Sequence, residues 1–364
     1  MFGWLTVVLA VVAAAGCSTG EMVVCEGVEL ERVFGPEVPG KYKHPSSITE
    51  LENGDLYLAY YGGSGEYGDG TGVYGTRKVK GRPEWTPPEI ISDTPRGQAG
   101  NPVVWQAPDG AVWLFHVARH GDTWSSSRIR ARVSRDEART WSDSIVLAGE
   151  DGMMVRAYPI VLKNGDYLLP VYHETGHDRE SVGPDTTSLF LRYDVKTEEW
   201  TETNRITSRT GNLQPAVVRI TDDYLVCYCR RGGGYGPVTD GYLVRAESRD
   251  GGRTWSNGTD SAFPNPNAAA DFIKLHNGHL LLVYNDSMSD RTPLTAAVSM
   301  DNDGTYPHKK NIIEGSGSYA YPSAIQTRDG RIHVVFTSNK RTVINHAVFD
   351  EDVILADDSV KITR

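Results

Sequence analysis

Cysteine is scarce, with 4 in 364 residues. That density argues against a fold stapled by disulfides. Basic residues are outnumbered, 37 against 47 acidic ones, for a net charge of −10. A nucleic-acid groove and a surface for anionic lipid both require basic excess, so neither partner class is expected. Long apolar runs are also missing. The one run of note, Leu5 to Ala15, is too short to span a bilayer. The cysteines form no metal-binding cluster, and neither a metal nor another cofactor is expected. What the chain has in quantity is glycine, 38 residues, and tyrosine, 18, which suit many turns and many strands. Hydrophobic residues make up 39%, ample for a core.

The small residues after the apolar run, Ala13-Ala14-Ala15-Gly16-Cys17, resemble the lipobox of bacterial lipoproteins. The resemblance implies a signal peptide over 1–16 and lipidation of Cys17. A linker over 17–29 then leads into one domain over 30–364. The start, Met1-Phe2-Gly3-Trp4, departs from the pattern because it lacks a basic residue. An ordinary secretion signal is the alternative. Either way the mature protein works outside the cytoplasm, in the periplasm or at the cell surface. It meets membrane only through an N-terminal lipid. Cys25 remains, and Cys227 and Cys229 share one face of a predicted strand, so they read as core residues.

A repeat runs through the rest. Six segments combine a Gly or Asp turn with an alternating apolar run, starting at Gly54, Gly110, Gly165, Asp222, Gly278 and Gly330. The starts are 56, 55, 57, 56 and 52 residues apart. A second short apolar run precedes each, as in Pro102-Val103-Val104-Trp105, so each unit contains a hairpin. A later marker keeps the period independently. Ser134-Arg135-Asp136-Glu137-Ala138-Arg139-Thr140-Trp141 recurs as Ser248-Arg249-Asp250-Gly251-Gly252-Arg253-Thr254-Trp255, with a worn copy from Ser299 to Tyr306 and weaker echoes ending at Trp85 and Trp200. The aspartate can accept backbone N–H groups across a turn, and the aromatic can anchor it. Its role is folding rather than catalysis.

This octapeptide is the Asp-box, and the chain resembles the sialidase-like (BNR-repeat) propellers over about residues 30 to 350. Six units of four strands predict an all-β fold, a six-bladed β-propeller of four-stranded antiparallel blades. A two-domain sandwich or an open solenoid is the alternative. The sixth unit lacks a late marker, so the segment after Cys25 is expected to supply its outer strand and close the ring.

In such a ring, the residues entering the innermost strands surround one mouth of the channel. Here they are His44, Asn101, Tyr158, Gln214, Asp271 and Tyr321, spaced 57, 57, 56, 57 and 50. Six polar side chains at one equivalent position suggest a polar ligand site. Arg156, Arg230, Arg231 and Arg291 lie nearby in sequence, and guanidinium suits a carboxylate. Glu66 and Asp69 in a Gly-rich loop, and Glu174 after the third alternating run, are the acids in reach of a site.

The resemblance implies roles residue by residue. Sialidases of this fold hold the substrate carboxylate with three arginines and use a tyrosine nucleophile, a glutamate beside it and a loop acid. Tyr321 in Tyr319-Ala320-Tyr321-Pro322 looks like the tyrosine. Arg230 and Arg291 look like the second and third arginines, and Glu66 is a loose match to the acid. His44 stands where the family has its first arginine, and Gln214 stands where it has the glutamate. A glutamine cannot take the tyrosine proton as a glutamate can. The stretch Asn265-Pro266-Asn267-Ala268-Ala269-Ala270-Asp271 resembles a neuraminidase-like subgroup. The function implied is a glycoside hydrolase acting on a terminal acidic sugar, with Tyr321, Glu66 and His44 catalytic. Arg230, Arg291, Gln214, Asp271, Asn101, Tyr158 and Arg156 would bind the substrate. The alternatives are a lyase on uronate-containing glycan, with Tyr321 and His44 as acid and base, or a non-catalytic carbohydrate-binding lipoprotein.

Overall fold

The structure, a computed structural model, describes residues 22–68, 70–93, 98–176 and 181–356. The expected signal peptide over 1–16, Cys17 and Asp69 lie outside these residues. Six antiparallel four-stranded sheets surround one axis, giving the six-bladed β-propeller that the repeat predicts. The innermost strands are Tyr42–Glu50, Ala99–Gln106, Met153–Val155 continued by Ile160–Val161, Asn212–Arg219, Asp271–Lys274 and Ala320–Gln326. Each pairs with one of the six alternating runs. In five blades the turn between them carries a glycine at positive φ, at Gly54, Gly110, Gly165, Gly278 and Gly330. Only glycine takes that conformation without penalty, so the periodic Gly marks the periodic turn.

The second strand of each blade is buried on both faces, as in Val112–Arg119 and Leu225–Arg231. Six apolar clusters fill the six gaps between neighbouring blades. Ring closure falls to the N-terminal segment. Glu29–Phe34 pairs with Val343–Phe349 as the outer strand of blade six. Val23–Val24 adds a fifth strand to blade five.

The Asp-box aspartates bind the turn as expected. Asp250 Oδ1 accepts the backbone N–H groups of Arg253 and Thr254 at 3.0 and 2.9 Å, and its Oδ2 accepts the Thr254 hydroxyl at 2.6 Å. Asp136 and Asp301 repeat the pattern. The aromatic that ends each marker packs on the preceding blade. Trp85 meets His346, Trp141 meets Tyr57, Trp200 meets Phe115, Trp255 meets Phe190, and Tyr306 meets Phe263. Trp255 is fully packed, its ring stacked 4.1 Å from Phe190, whereas the other four are half-buried.

Two stability predictions follow from this packing. Trp255→Ala leaves a cavity between blades three and four and should cost about 3–5 kcal/mol in denaturant unfolding. A melting temperature unchanged from the parent would contradict the packed role of Trp255. On the closing strand, Glu31 accepts from Lys78, Trp85 and His346. Burial pushes its carboxyl up, but these hydrogen bonds outweigh it and bring it from the ordinary 4.5 to about 2. A carboxyl depressed on folding stabilises fully above its unfolded value and loses that contribution as pH falls toward about 2. Glu31→Gln should therefore lower stability at pH 7 and flatten its decline on acidification. An unaltered acid-unfolding curve would show that the seam does not depend on this charge.

Candidate active site

The innermost strands are not regular where they enter the channel. Pairing breaks between Lys43 and Ser46, Gly100 and Val103, Leu213 and Ala216, and Ala320 and Ser323. Each break contains an Xaa-Pro step. Proline has no N–H to lose, so a bulge fits there, and a bulge re-aims the side chain before it. Asn101, Gln214 and Tyr321 adopt positive φ at these bulges, 44°, 55° and 58°. For a tyrosine this conformation costs about 1–3 kcal/mol, which the surrounding contacts must offset.

Tyr321 is the centre of those contacts. Arg230 Nη1 donates to its hydroxyl at 2.6 Å, and Gln214 Nε2 lies at 3.4 Å. The guanidinium groups of Arg156, Arg230 and Arg291 stand 5.6, 5.8 and 5.3 Å from its ring centre. Burial pushes the phenol up, but Arg230, Arg291 and Arg341 together outweigh burial and hold it below its ordinary value. Arg230 is itself fixed by Asn267 Oδ1 at 2.6 Å and Gln214 Oε1 at 3.1 Å, while its Nη2 is buried without a hydrogen-bond partner.

His44 packs edge-on against Tyr321, ring centres 4.1 Å apart. Its Nδ1 lies 2.7 Å from Thr337 Oγ1, which also lies 3.3 Å from Ala320 O. With the Thr337 proton on that carbonyl, the Thr337 oxygen accepts from Nδ1 and Nε2 keeps a lone pair; with it on Nδ1, the tautomer is reversed. Nε2 is buried and unpartnered. Burial, then the cations Arg341, Arg291, Arg156 and Arg230, hold His44 well below the usual histidine range, so it is neutral at pH 7.

Two residues of the predicted ring, Tyr158 and Asp271, and the nearby Arg156 direct polar atoms to backbone groups. Arg156 Nη2 donates to the carbonyls of Tyr321 and Pro322, both at 2.8 Å. Asp271 accepts from the backbone N–H of Ala324 at 2.7 Å and of Phe272 at 3.0 Å. The Tyr158 hydroxyl donates to Ala324 O. Arg156 and Tyr158 thus tie blade three, across the channel, and Asp271 ties the neighbouring blade five to the strand that carries Tyr321. Asn101 instead donates to the Tyr172 hydroxyl at 3.0 Å.

The site also contains groups that sequence reasoning did not single out. Arg341 sits in the turn after the sixth run, the last of three consecutive positive-φ residues, Asn339, Lys340 and Arg341. Its Nη1 donates to the Tyr42 hydroxyl at 2.9 Å and to Glu66 Oε2, and Tyr42 also donates to Glu66 at 3.2 Å. Tyr172 is buried beneath Asn101 and Gln214. No repeat marker or motif points to Arg341. Tyr172 carried one signal, its place in the third alternating run. A cavity of about 760 Å³ adjoins the cluster through Arg291 and Arg341 and is lined also by Tyr42, Tyr235 and Lys340. Among the described residues, no group of three or more His, Cys, Asp or Glu side chains has metal-binding geometry, and no helix is long and apolar enough to cross a membrane.

A six-bladed propeller with Asp-box turns and an arginine-ringed tyrosine at its axis defines a class of sialidase-like folds. The chain belongs to the BNR repeat-like domain family, which it matches over residues 54–334. Solved structures agree on the fold. A Hadza microbial sialidase is 17% identical with a TM-score of 0.71, covering 86% of this chain and 66% of its own length. The chain thus spans just under two thirds of that protein. A Dyadobacter fermentans protein of unknown function is 16% identical, TM-score 0.71, covering 90% of this chain and 100% of its own. The intramolecular trans-sialidase from Ruminococcus gnavus, solved with oseltamivir carboxylate, is 13% identical, TM-score 0.70, covering 89% and 98%. No curated protein matches the sequence.

The Tyr321 environment predicts a spectroscopic result. In a tyrosinate absorbance titration of the folded protein, one phenol should ionise below the ordinary tyrosine value, and Tyr321→Phe should remove it. Retention of that early step in the variant would assign it to another tyrosine.

Proposed function

We propose that the chain is an exported glycoside hydrolase of sialidase type that removes a terminal acidic sugar from a glycan. Cys17 anchors it by lipid outside the cytoplasm. The observation that carries this reading is the convergence of Arg230, Arg291 and Arg341 on the phenol of Tyr321. Three guanidinium groups beside a nucleophile suit a sugar whose carboxylate lies next to its anomeric carbon. The carboxylate takes the unpartnered Arg230 Nη2 and the guanidinium groups of Arg291 and Arg341. The Tyr321 oxygen then forms a bond to the anomeric carbon as the bond to the leaving oxygen breaks. The phenol proton passes to the free Nε2 of neutral His44, because Gln214 has no basic atom to take it. A proton from a site acid completes the leaving group, and water later reverses the first step.

A second reading draws on the same free Nε2. On a uronate chain the arginines would neutralise the carboxylate while His44 removes the adjacent proton and Tyr321 protonates the departing oxygen. The product would then contain a new double bond that absorbs in the ultraviolet.

Incubation with a panel of acidic glycans, followed by reducing-end and ultraviolet assays together, separates these readings. The hydrolase releases sugar with no ultraviolet gain. An ultraviolet-absorbing product establishes the lyase, and binding without turnover establishes a carbohydrate-binding protein. In the hydrolase, Tyr321→Phe should abolish turnover and leave ligand binding largely intact. Arg291→Ala should weaken binding by about 1.5–3 kcal/mol through loss of a charge-assisted contact. Near-full activity in Tyr321→Phe would reduce that residue to a stacking surface.

A further inference from the structure

Cleavage of a glycosidic bond needs a carboxyl that still holds its proton at working pH. Glu66, in the Gly-rich loop, is poorly suited to that task here. One of its oxygens, Oε2, takes hydrogen bonds from both Arg341 Nη1 and the Tyr42 hydroxyl. With that oxygen engaged by two protein donors, it is not free to face a leaving group. Its geometry is that of a counter-ion which aims Arg341 into the cavity.

Glu174 is placed differently. It follows the strand Tyr167–His173, and its N–H donates to Gly152 O at 2.8 Å, so the pairing of Met153 with His173 continues to it. Strand alternation puts Glu174 on the face of Tyr172 and sends His173 to the opposite face, where it meets Glu150 at 3.2 Å. The Tyr172 hydroxyl takes hydrogen bonds from Asn101 and Gln214, so this face is the floor of the site. Among the described residues no group donates a hydrogen bond to the Glu174 carboxyl, in contrast to Glu66 and Asp271.

We propose that Glu174, and not Glu66, is the acid that protonates the leaving oxygen, while Glu66 holds Arg341 for the substrate carboxylate. This rests on the hydrolase reading. The charged and titratable groups around Glu174 are Arg230 from blade four, Glu66 from blade one, Tyr172 on its own strand and Tyr235 from the loop above. Burial raises its carboxyl to about 7, with Arg230 opposing and Glu66 adding to the rise. The proton leaves Glu174 Oε for the glycosidic oxygen as the C–O bond breaks. In the second half-reaction the carboxylate takes a proton back from the attacking water, so the cycle closes with no other reactant.

The test compares wild type, Glu174→Gln and Glu66→Gln on two substrates that share one acidic sugar. One carries an alkyl leaving group and the other a nitrophenyl group, which departs without protonation. Glu174→Gln should lose about 100-fold or more in turnover on the alkyl substrate, far less on the nitrophenyl one, and the alkaline limb of the pH profile near 7. Glu66→Gln should raise KM on both substrates alike and keep that limb. Carbon-13 NMR of the glutamate carboxyls supplies a readout independent of turnover, in which one signal titrating near 7 should vanish in Glu174→Gln. The proposal is overturned if Glu174→Gln slows both substrates equally, if Glu66→Gln shows the leaving-group dependence instead, or if Glu174 titrates like an ordinary glutamate. A wild type inactive on both substrates would instead sink the hydrolase reading, and the role of Glu174 with it.

Discussion

The pairing of Glu29–Phe34 with Val343–Phe349 turns a row of sheets into a ring, and the channel exists only because that ring closes. The groups at its axis lie on both sides of this seam. Tyr42, His44 and Glu66 come from blade one, and Tyr321, Thr337 and Arg341 from blade six. The contacts between them are short and polar. Lys43 N donates to Arg341 O at 2.7 Å, His44 Nδ1 meets Thr337 Oγ1 at 2.7 Å, and Arg341 reaches Glu66 and Tyr42. Glu31 on the closing strand binds Lys78 and Trp85 of blade one and His346 of blade six, and so reinforces the seam from its rim. Closure and site assembly are therefore one event.

The second constraint is electrostatic. Desolvating a guanidinium is costly unless its donors are satisfied. Arg156 spends Nη2 on two backbone carbonyls, and Arg231 spends Nε and Nη1 on those of Asn265 and Gly232, yet Arg156 Nε and Arg231 Nη2 stay buried without a hydrogen-bond partner. Arg230 spends Nε and Nη1 on protein groups and keeps Nη2 unpartnered. An acidic ligand, as proposed, would satisfy that donor. A protein of net charge −10 thus carries a cluster of guanidinium groups at its axis, a local field that bulk charge does not reveal.

Much of this was legible before any coordinates. The period, the hairpin turns and the Asp-box are local features, and each follows from a few adjacent residues. The polar residues before the innermost strands were legible for the same reason, since Xaa-Pro marks the bulge. The fold brings His44, Gln214, Arg230, Arg291 and Tyr321 into one cluster. Tyr158 and Asp271 shared the same spacing, yet they bind the backbone of the strand that carries Tyr321, as does Arg156 beside Tyr158. Spacing gives the position of a Cα and not the direction in which a polar atom is spent. Glu66 reached the site, but as the partner of Arg341, a residue 275 positions away that no local pattern connects to it.

The sequence by itself determined the number of blades, the strand that closes them and the ring of positions facing the channel, because hydrophobic period and turn chemistry act over short range. Tertiary structure decided which charges meet. It set Arg341 against Glu66, left Arg230 Nη2 and His44 Nε2 without partners, and put Glu174 on the floor beside Tyr172. Those outcomes depend on distances across the channel between residues far apart in the chain. Coulomb and hydrogen-bond energies vary steeply over such distances, and only the closed ring sets them.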